Sequence, residues 1–169
     1  DNVVRVADGF ATAAHSMIPP GFPGAVDDKK IRDIQRFDPK AAMAMLKGTP
    51  YEGGRNWPKV TLTMRDEGYG SKPLAEAVQA VLLEHLNMKT ELEVLEQRVF
   101  RAGLWKNDYQ LVWIRWFMDY PDPHNEYFDT FYGKKTEGKR QAWVNDAFDK
   151  ELEAGRDTRP NMVRRLAEA

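Results

Sequence analysis

The stretch of residues 59–95, KVTLTMRDEGYGSKPLAEAVQAVLLEHLNMKTELEVL, decides the fold of this chain. Its first part, Lys59–Arg65, alternates apolar and threonine side chains, which is the period of a β-strand. A helix from about Lys72 to Asn87 follows, with Ser71 as its expected cap, and Lys89–Leu95 reads as a second strand. A strand, a helix and a strand of these lengths predict parallel pairing through a right-handed crossover. The predicted inward face of the helix consists of Leu74, Ala77, Val78, Val81, Leu82 and Leu86.

The same alternation of elements continues toward the C-terminus. Gln97–Lys106 predicts a short helix with Val99, Phe100 and Leu104 facing inward, and Tyr109–Phe117 (YQLVWIRWF) predicts a third strand. The nearly continuous apolar character of that strand is typical of a strand covered on both faces. The fold class is therefore α/β, a parallel β-α-β-α-β lobe with sheet order 2-1-3 and additional C-terminal helices.

The flanking segments carry turn and cap signals. Residues 1–38 are expected to be an irregular lead, because they contain IPPGFPG at 18–24, and residues 39–169 are expected to form a single lobe. Asp38 followed by Pro39 predicts a helix start, with the helix running to about Lys47 and stopping at Gly48. Beyond the third strand, we expect an acidic loop over 119–129 and helices near 141–154 and 160–169.

Charge and composition exclude several classes of function. Lys and Arg total 25 and Asp and Glu total 26, so a net charge of −1 gives no reason to expect a nucleic acid as the partner. The chain has no cysteine, which removes disulfides, thiolate metal sites and cysteine nucleophiles. No apolar run approaches the roughly 18 residues of a membrane span, and no signal-peptide pattern is expected at the start.

The candidate site lies after two of the predicted strands. In open α/β sheets, ligands bind beyond the carboxyl ends of strands at the switch point, here RDEGYG after the first strand and WFMDYPDP after the third. Asp119 has aromatic neighbours, and a carboxylate between aromatic walls can pair with a cation of a ligand. The alternative is a turn carboxylate that caps the helix after Pro123. The candidate ligand-binding residues are Asp119, Trp116, Phe117, Met118, Tyr120 and Arg65.

The other polar residues match no known catalytic, metal-binding or phosphate-binding motif. His124 and Glu126 lie near Asp122 and Asp129, but their spacing matches neither a calcium loop nor a zinc motif, so a solvated acidic loop is the better interpretation. The GYGSKP loop at 68–73 lacks the Gly-Lys-Ser/Thr of a phosphate loop. We therefore expect no catalytic residue, no metal and no cofactor.

Six segments, taken in order, resemble one known family. They are MIPPG (17–21), FDPKAAMAMLK (37–47), PKVTLTM (58–64), AEAVQAVLLEHLNMKTELEVLE (75–96), YQLVWIRWFMDYPDP (109–123) and WVNDAFDKELEAGRD (143–157). Together they look like the second, C-terminal lobe of the family 5 extracellular solute-binding proteins of ABC importers, which include dipeptide- and oligopeptide-binding proteins. Asn87 stands where that family usually has glycine, and Arg115 replaces a small residue before Trp116.

The resemblance implies a periplasmic-binding-protein-like type II lobe that binds a small peptide or related solute and performs no catalysis. It implies three partners: the ligand, the first lobe of the same protein, to which residues 1–38 would connect, and the permease subunits of the importer. It implies that Asp119 pairs with the α-ammonium of a peptide, and that the protein works in the periplasm or at the cell surface. Weak self-association through exposed apolar surface is expected. The alternatives are a flavodoxin-like or nucleotide-binding enzyme domain and a stand-alone interaction module.

Overall fold

The structure is a computed structural model that describes residues 12–26, 29–34, 36–66, 71–134 and 141–157. The helices and strands in these ranges are α1 (Lys29–Ile34), α2 (Pro39–Met45), β1 (Val60–Arg65), α3 (Ser71–Leu86), β2 (Thr90–Leu95), α4 (Gln97–Lys106), β3 (Leu111–Trp113), α5 (Pro123–Phe131) and α6 (Asp146–Asp157). None of these helices is long and apolar enough to cross a membrane.

The described residues divide into two compact units. The first, which we name the sheet unit, contains residues 12–13, 37–66, 71–103 and 108–114. The second, which we name the aromatic unit, contains residues 14–26, 29–34, 36, 104–107, 115–134 and 141–157.

A three-stranded parallel sheet forms the centre of the sheet unit. β1 lies between β2 and β3, so that Leu62 pairs with Leu92 on one side and with Leu111 on the other. The predicted strand order 2-1-3 and the parallel pairing are confirmed. The parallel pairing follows from crossovers that are too long for hairpins and each contain a helix.

The third strand is shorter than predicted, so the expectation of a strand over the whole of Tyr109–Phe117 was wrong. Just before its start, the side chain of Gln110, rather than its backbone, forms the hydrogen bonds to the neighbouring strand segment. Its Oε1 accepts from the N–H of Thr61 at 2.9 Å, and its Nε2 donates to the carbonyl of Lys59 at 3.2 Å. At its other end, β3 stops at Trp113, which pairs with Met64, although β1 continues to Arg65.

The core of the sheet unit lies between β1 and α3. Leu62 and Met64 of β1 and Ala75 of α3 are its buried members. The half-buried residues packed against them are Val78, Leu92, Leu111 and Trp113. Ala75 was not among the predicted inward positions, although it is completely buried, because its small side chain adds little to an apolar pattern.

α4 has the predicted bounds but a different inward face. Phe100 and Leu104 are buried, as expected, whereas Val99 is 56% exposed, so its predicted inward position was wrong. Phe100 and Leu104 are four residues apart and share one helix face, whereas Val99 lies about 100° around the helix from Phe100, on a side that stays exposed.

The same capping motif, an aspartate followed by proline, begins two helices. Asp38 accepts from the N–H of Ala41 at 2.9 Å before Pro39, as predicted, and α2 ends slightly before the expected Lys47. Asp122 accepts from the N–H of His124 at 2.8 Å before Pro123, and this cap begins α5. The prediction of an acidic loop over 119–129 was therefore wrong for its second half.

Three further segments differ from expectation or lie outside the description. Lys29–Ile34 is a short helix within the lead predicted to be irregular. α6 begins later and ends later than the helix predicted near 141–154. The helix predicted over 160–169 lies outside the described residues. The division into a lead of residues 1–38 and a lobe of residues 39–169 stays a prediction.

Gly54 fastens the loop before β1 to the end of α3. Its φ is +70°, and its carbonyl accepts from the Asn87 side chain at 3.1 Å. The indole of Trp57, in the same loop, donates to the carbonyl of Leu86 at 2.9 Å. A Cβ at position 54 would lie 2.4 Å from that same carbonyl oxygen, so the position accepts only glycine.

We expect Gly54→Ala to lower the free energy of unfolding of the intact protein by about 2–4 kcal/mol. Two costs contribute to this loss: the strain of a left-handed φ in alanine, and the clash of its Cβ with the carbonyl oxygen of Leu86. Gly48→Ala is the matched control, since Gly48 has a φ of +77° but open space around it. The control should cost only about 1–2 kcal/mol. Urea unfolding of both variants measures the difference, and equal costs would contradict the clash.

Candidate functional site

A hollow of about 510 Å³ lies within the aromatic unit. We name it the aromatic hollow, and its lining residues are Pro19, Phe22, Trp116, Phe117, Met118, Asp119, Tyr120, Pro121 and Glu126. The structure thus brings together five of the six residues proposed from the sequence, all in the segment that follows β3. The sixth, Arg65, ends β1 in the sheet unit, so its participation in ligand binding stays a prediction.

A turn segment from the N-terminal part of the chain supplies a second wall of the hollow. Pro19 and Phe22 lie in consecutive turns, in which Phe22 donates to the carbonyl of Pro19 at 3.2 Å and Ala25 donates to the carbonyl of Phe22 at 3.1 Å. Ile18, next to them, is fully buried and anchors the segment. The sequence signal was an aromatic residue within a proline- and glycine-rich run, but nothing local says where that run packs.

The side chain of Asn125 fixes the backbone of the hollow. Its Oδ1 accepts from the backbone N–H of Asp119 at 2.9 Å and from the indole N–H of Trp116 at 3.3 Å. Its Nδ2 donates to Asp129 at 2.9 Å, and the residue is only 1% exposed. Buried polar groups with all partners satisfied are rigid and costly to disturb, so these three bonds form a clamp on the loop.

The carboxylate of Asp119 is not used to cap α5. Asp122 occupies the cap position, so the alternative in which Asp119 caps the helix is wrong. Asp119 is exposed, and its carboxylate makes no hydrogen bond or ion pair among the described residues. The loop therefore presents a negative charge at the aromatic hollow while the backbone behind that charge is held by Asn125.

The aromatic walls are themselves supported. The hydroxyl of Tyr120 is 3.0 Å from Nδ1 of His124, in the first turn of α5. The His124 ring stacks on Phe128 with centroids 4.7 Å apart, and Phe128 stacks on Tyr132 at 4.4 Å. Residues four apart lie on one helix face, so this column runs along α5 and ends at Tyr120 on the hollow.

Phe117 is the most exposed aromatic residue of the hollow, at 69% of its surface. The guanidinium of Arg115 lies 5.6 Å from its ring centroid, within the range of a cation–π contact. An exposed aromatic ring at the rim of a hollow is available surface for a ligand.

α6 is tied to the end of α5 by acidic side chains. Glu153 accepts from Lys134 at 2.6 Å and from the hydroxyl of Tyr132 at 2.7 Å, and these two hydrogen bonds hold the pKa of Glu153 below its usual value. Asp149, fully buried, accepts from the N–H of Gly133 at 2.8 Å. Among the described residues, no group of three His, Cys, Asp or Glu side chains is arranged to hold a metal ion.

A second hollow, of about 620 Å³, lies in the sheet unit. Residues at the amino-terminal ends of β1 and β2 line it, among them Lys59, Lys89 and Glu91. Lys59 and Glu91 already form an ion pair at 3.0 Å. Ligands of parallel sheets bind at the carboxyl ends of strands, so this hollow is the weaker candidate despite its size.

Comparison with known proteins identifies the family. The model of the bacterial extracellular solute-binding proteins, family 5 (middle part), matches residues 1–139. The chain belongs to this family. Family 5 membership confirms the resemblance inferred from the six sequence segments.

Relatives extend the comparison. The oligopeptide-binding protein OppA of Bacillus subtilis (strain 168) is 29% identical over 154 residues, which cover 89% of this chain and 28% of OppA. A periplasmic oligopeptide-binding protein of Borrelia burgdorferi aligns with a TM-score of 0.78 and 17% identity, over 98% of this chain and 34% of its own. DppA of Helicobacter pylori, solved with the peptide STSA, aligns with a TM-score of 0.73 and 19% identity. The alignment covers 99% of this chain and 36% of the DppA chain.

These structural likenesses confirm the predicted α/β fold class of a periplasmic-binding-protein type II lobe. The family 5 chain spans about a third or less of the length of these relatives. By their names, the relatives are binding proteins, and those with solved structures are periplasmic.

We expect Asn125→Asp to lower the free energy of unfolding of the intact protein by about 1–3 kcal/mol. The new carboxylate keeps the two accepted bonds but loses the donated one and faces Asp129. The exchange Asn125→Asp with Asp129→Asn is the matched control, because it reverses the donor and the acceptor and preserves all three bonds. Chemical unfolding of the single and double variants measures their coupling. A double variant no more stable than Asn125→Asp would contradict the clamp.

Proposed function

We propose that this chain is the ligand-binding lobe of a substrate-binding protein that delivers peptides to an ABC importer, and that Asp119 binds the α-ammonium group of the peptide. The observation that carries the proposal is the exposed carboxylate of Asp119 at the aromatic hollow, on a backbone held by the buried amide of Asn125. A loop backbone held in this way loses little entropy when a ligand binds.

The chemistry of the hollow suits an ammonium group. A carboxylate and an ammonium form a charge-assisted hydrogen bond, which is about twice as strong as a neutral one. The bond strengthens when apolar walls exclude water, and aromatic rings such as those of Trp116 and Tyr120 provide such walls. Aromatic faces also attract cations directly.

The relatives support peptides as the substrate class. OppA of Bacillus subtilis is named an oligopeptide-binding protein, and the Helicobacter pylori DppA structure contains a bound peptide. Both are binding proteins, so binding without catalysis is proposed for this chain as well.

The partners follow from the share of the relatives that this chain covers. Its 28–36% of their length leaves room for a first lobe of the same protein, to which residues 1–38 would connect. Closure of two lobes around a peptide would create the surface that the permease subunits recognise. Such a protein works in the periplasm or at the cell surface.

We expect Asp119→Asn, in the intact protein, to weaken binding of a peptide with a free N-terminus by about 10- to 150-fold. The variant keeps the shape of the side chain and removes its charge, a loss of about 1.5–3 kcal/mol for a charge-assisted bond. Calorimetric titration with free and N-acetylated forms of the same peptide measures the effect.

Asp108→Asn is the matched control, because Asp108 is an exposed aspartate outside the aromatic hollow. It should leave affinity unchanged. If acetylation of the peptide and the Asp119→Asn variant both leave affinity unchanged, Asp119 does not bind the ammonium group.

A further inference from the structure

We propose that the aromatic hollow also selects the first residue of the peptide and favours an apolar or aromatic side chain at that position. This inference rests on the proposed role of Asp119 and adds a substrate preference to it. It comes from the composition of the lining, from the place of Asp119 within it and from the support of its walls.

The lining is predominantly apolar. Seven of its nine residues are apolar or aromatic: Pro19, Phe22, Trp116, Phe117, Met118, Tyr120 and Pro121. The two others are Asp119, whose carboxylate is exposed, and Glu126, which is only 7% exposed. The surface that a ligand meets is therefore one exposed charge surrounded by carbon.

The position of that charge determines which part of a peptide enters the hollow. In a peptide, the α-ammonium group and the first side chain are attached to the same carbon atom. When the ammonium group lies on Asp119, the first side chain starts close to the hollow that Asp119 lines and can enter it. The neighbours of Asp119 in the hollow are Met118 and Tyr120 in the loop, with Phe22 on the wall from the turn segment.

The size and rigidity of the hollow suit this role. Its volume of about 510 Å³ lies within the range of small-ligand pockets, so a leucine or phenylalanine side chain fits. Trp116 is held by Asn125 and Tyr120 by His124, so two of its aromatic residues are fixed before a ligand arrives. Rigid apolar walls reduce the ordering cost of binding and favour a side chain that buries carbon.

The test uses the intact protein and tripeptides X-Ala-Ala, with X as Gly, Leu, Phe or Lys, each in free and N-acetylated form. We expect the free Leu and Phe peptides to bind about 10- to 100-fold more tightly than the Gly peptide. The Lys peptide should bind no more tightly than the Leu peptide.

Two wall variants localise the effect. Phe22→Ala and Phe117→Ala should each weaken binding of the Leu and Phe peptides more than binding of the Gly peptide, and so reduce the preference. Phe117 is largely exposed, so its replacement keeps the test valid if Phe22→Ala impairs folding. Phe37→Ala is the matched control, because Phe37 is an exposed phenylalanine of the sheet unit outside the hollow. It should leave the preference intact.

The outcomes separate the two proposals. Equal affinity for Gly, Leu and Phe peptides, with sensitivity to acetylation, overturns the apolar preference and leaves the role of Asp119 standing. Tightest binding of the Lys peptide overturns the preference in favour of a second cation site. Failure of every peptide to bind removes both proposals, and a preference that survives both wall variants places the selecting surface elsewhere.

Discussion

The side-chain oxygen of Asn125 accepts hydrogen bonds from the backbone of Asp119 and from the indole of Trp116, and the aromatic hollow depends on this pair of bonds. Asn125 is buried in the first turns of α5, so the start of that helix determines where the acceptor lies. Asp122 and Pro123 set that start through a cap and a fixed φ. A short local motif thus places a buried amide, and this amide holds the backbone of Asp119, whose carboxylate is exposed.

Much of the fold could be predicted because its signals are local. The alternation of β1 and the apolar face of α3 are periodic within a single segment, and crossover lengths dictate parallel pairing. The bounds of β3 could not be predicted, because its apolar pattern continues past Trp113, where its pairing with β1 ends, and because the side chain of Gln110 replaces the ladder at its start. A helix after Pro123 entered only as part of the alternative for Asp119, although Asp122-Pro123 repeats the Asp38-Pro39 signal, because the acidic composition favoured a loop over 119–129.

The sequence predicted Asp119 and its aromatic neighbours as the candidate site, but it did not predict the residues that hold them or complete the hollow. Asp119 and its aromatic neighbours are contiguous in sequence, and the topology of an α/β lobe directs attention to the segment after the third strand. The wall at Phe22 comes from a distant turn, and no local pattern indicates the contact. Asn125 has an ordinary helical position in sequence, and only its burial and three partners reveal its role. The family 5 match covers residues 1–139 and therefore includes the whole of the segment that lines the hollow.

The central claim is that the buried amide of Asn125 holds the loop that presents Asp119. Backbone amide exchange of Asp119 in the intact protein, followed residue by residue with NMR, tests it most directly. The account predicts that this amide exchanges slowly although its side chain is exposed, and that Asn125→Leu removes the protection at Asp119 while the amides of β1 stay protected. Exchange of the Asp119 amide at the rate of an unprotected residue in the wild-type protein would contradict the account.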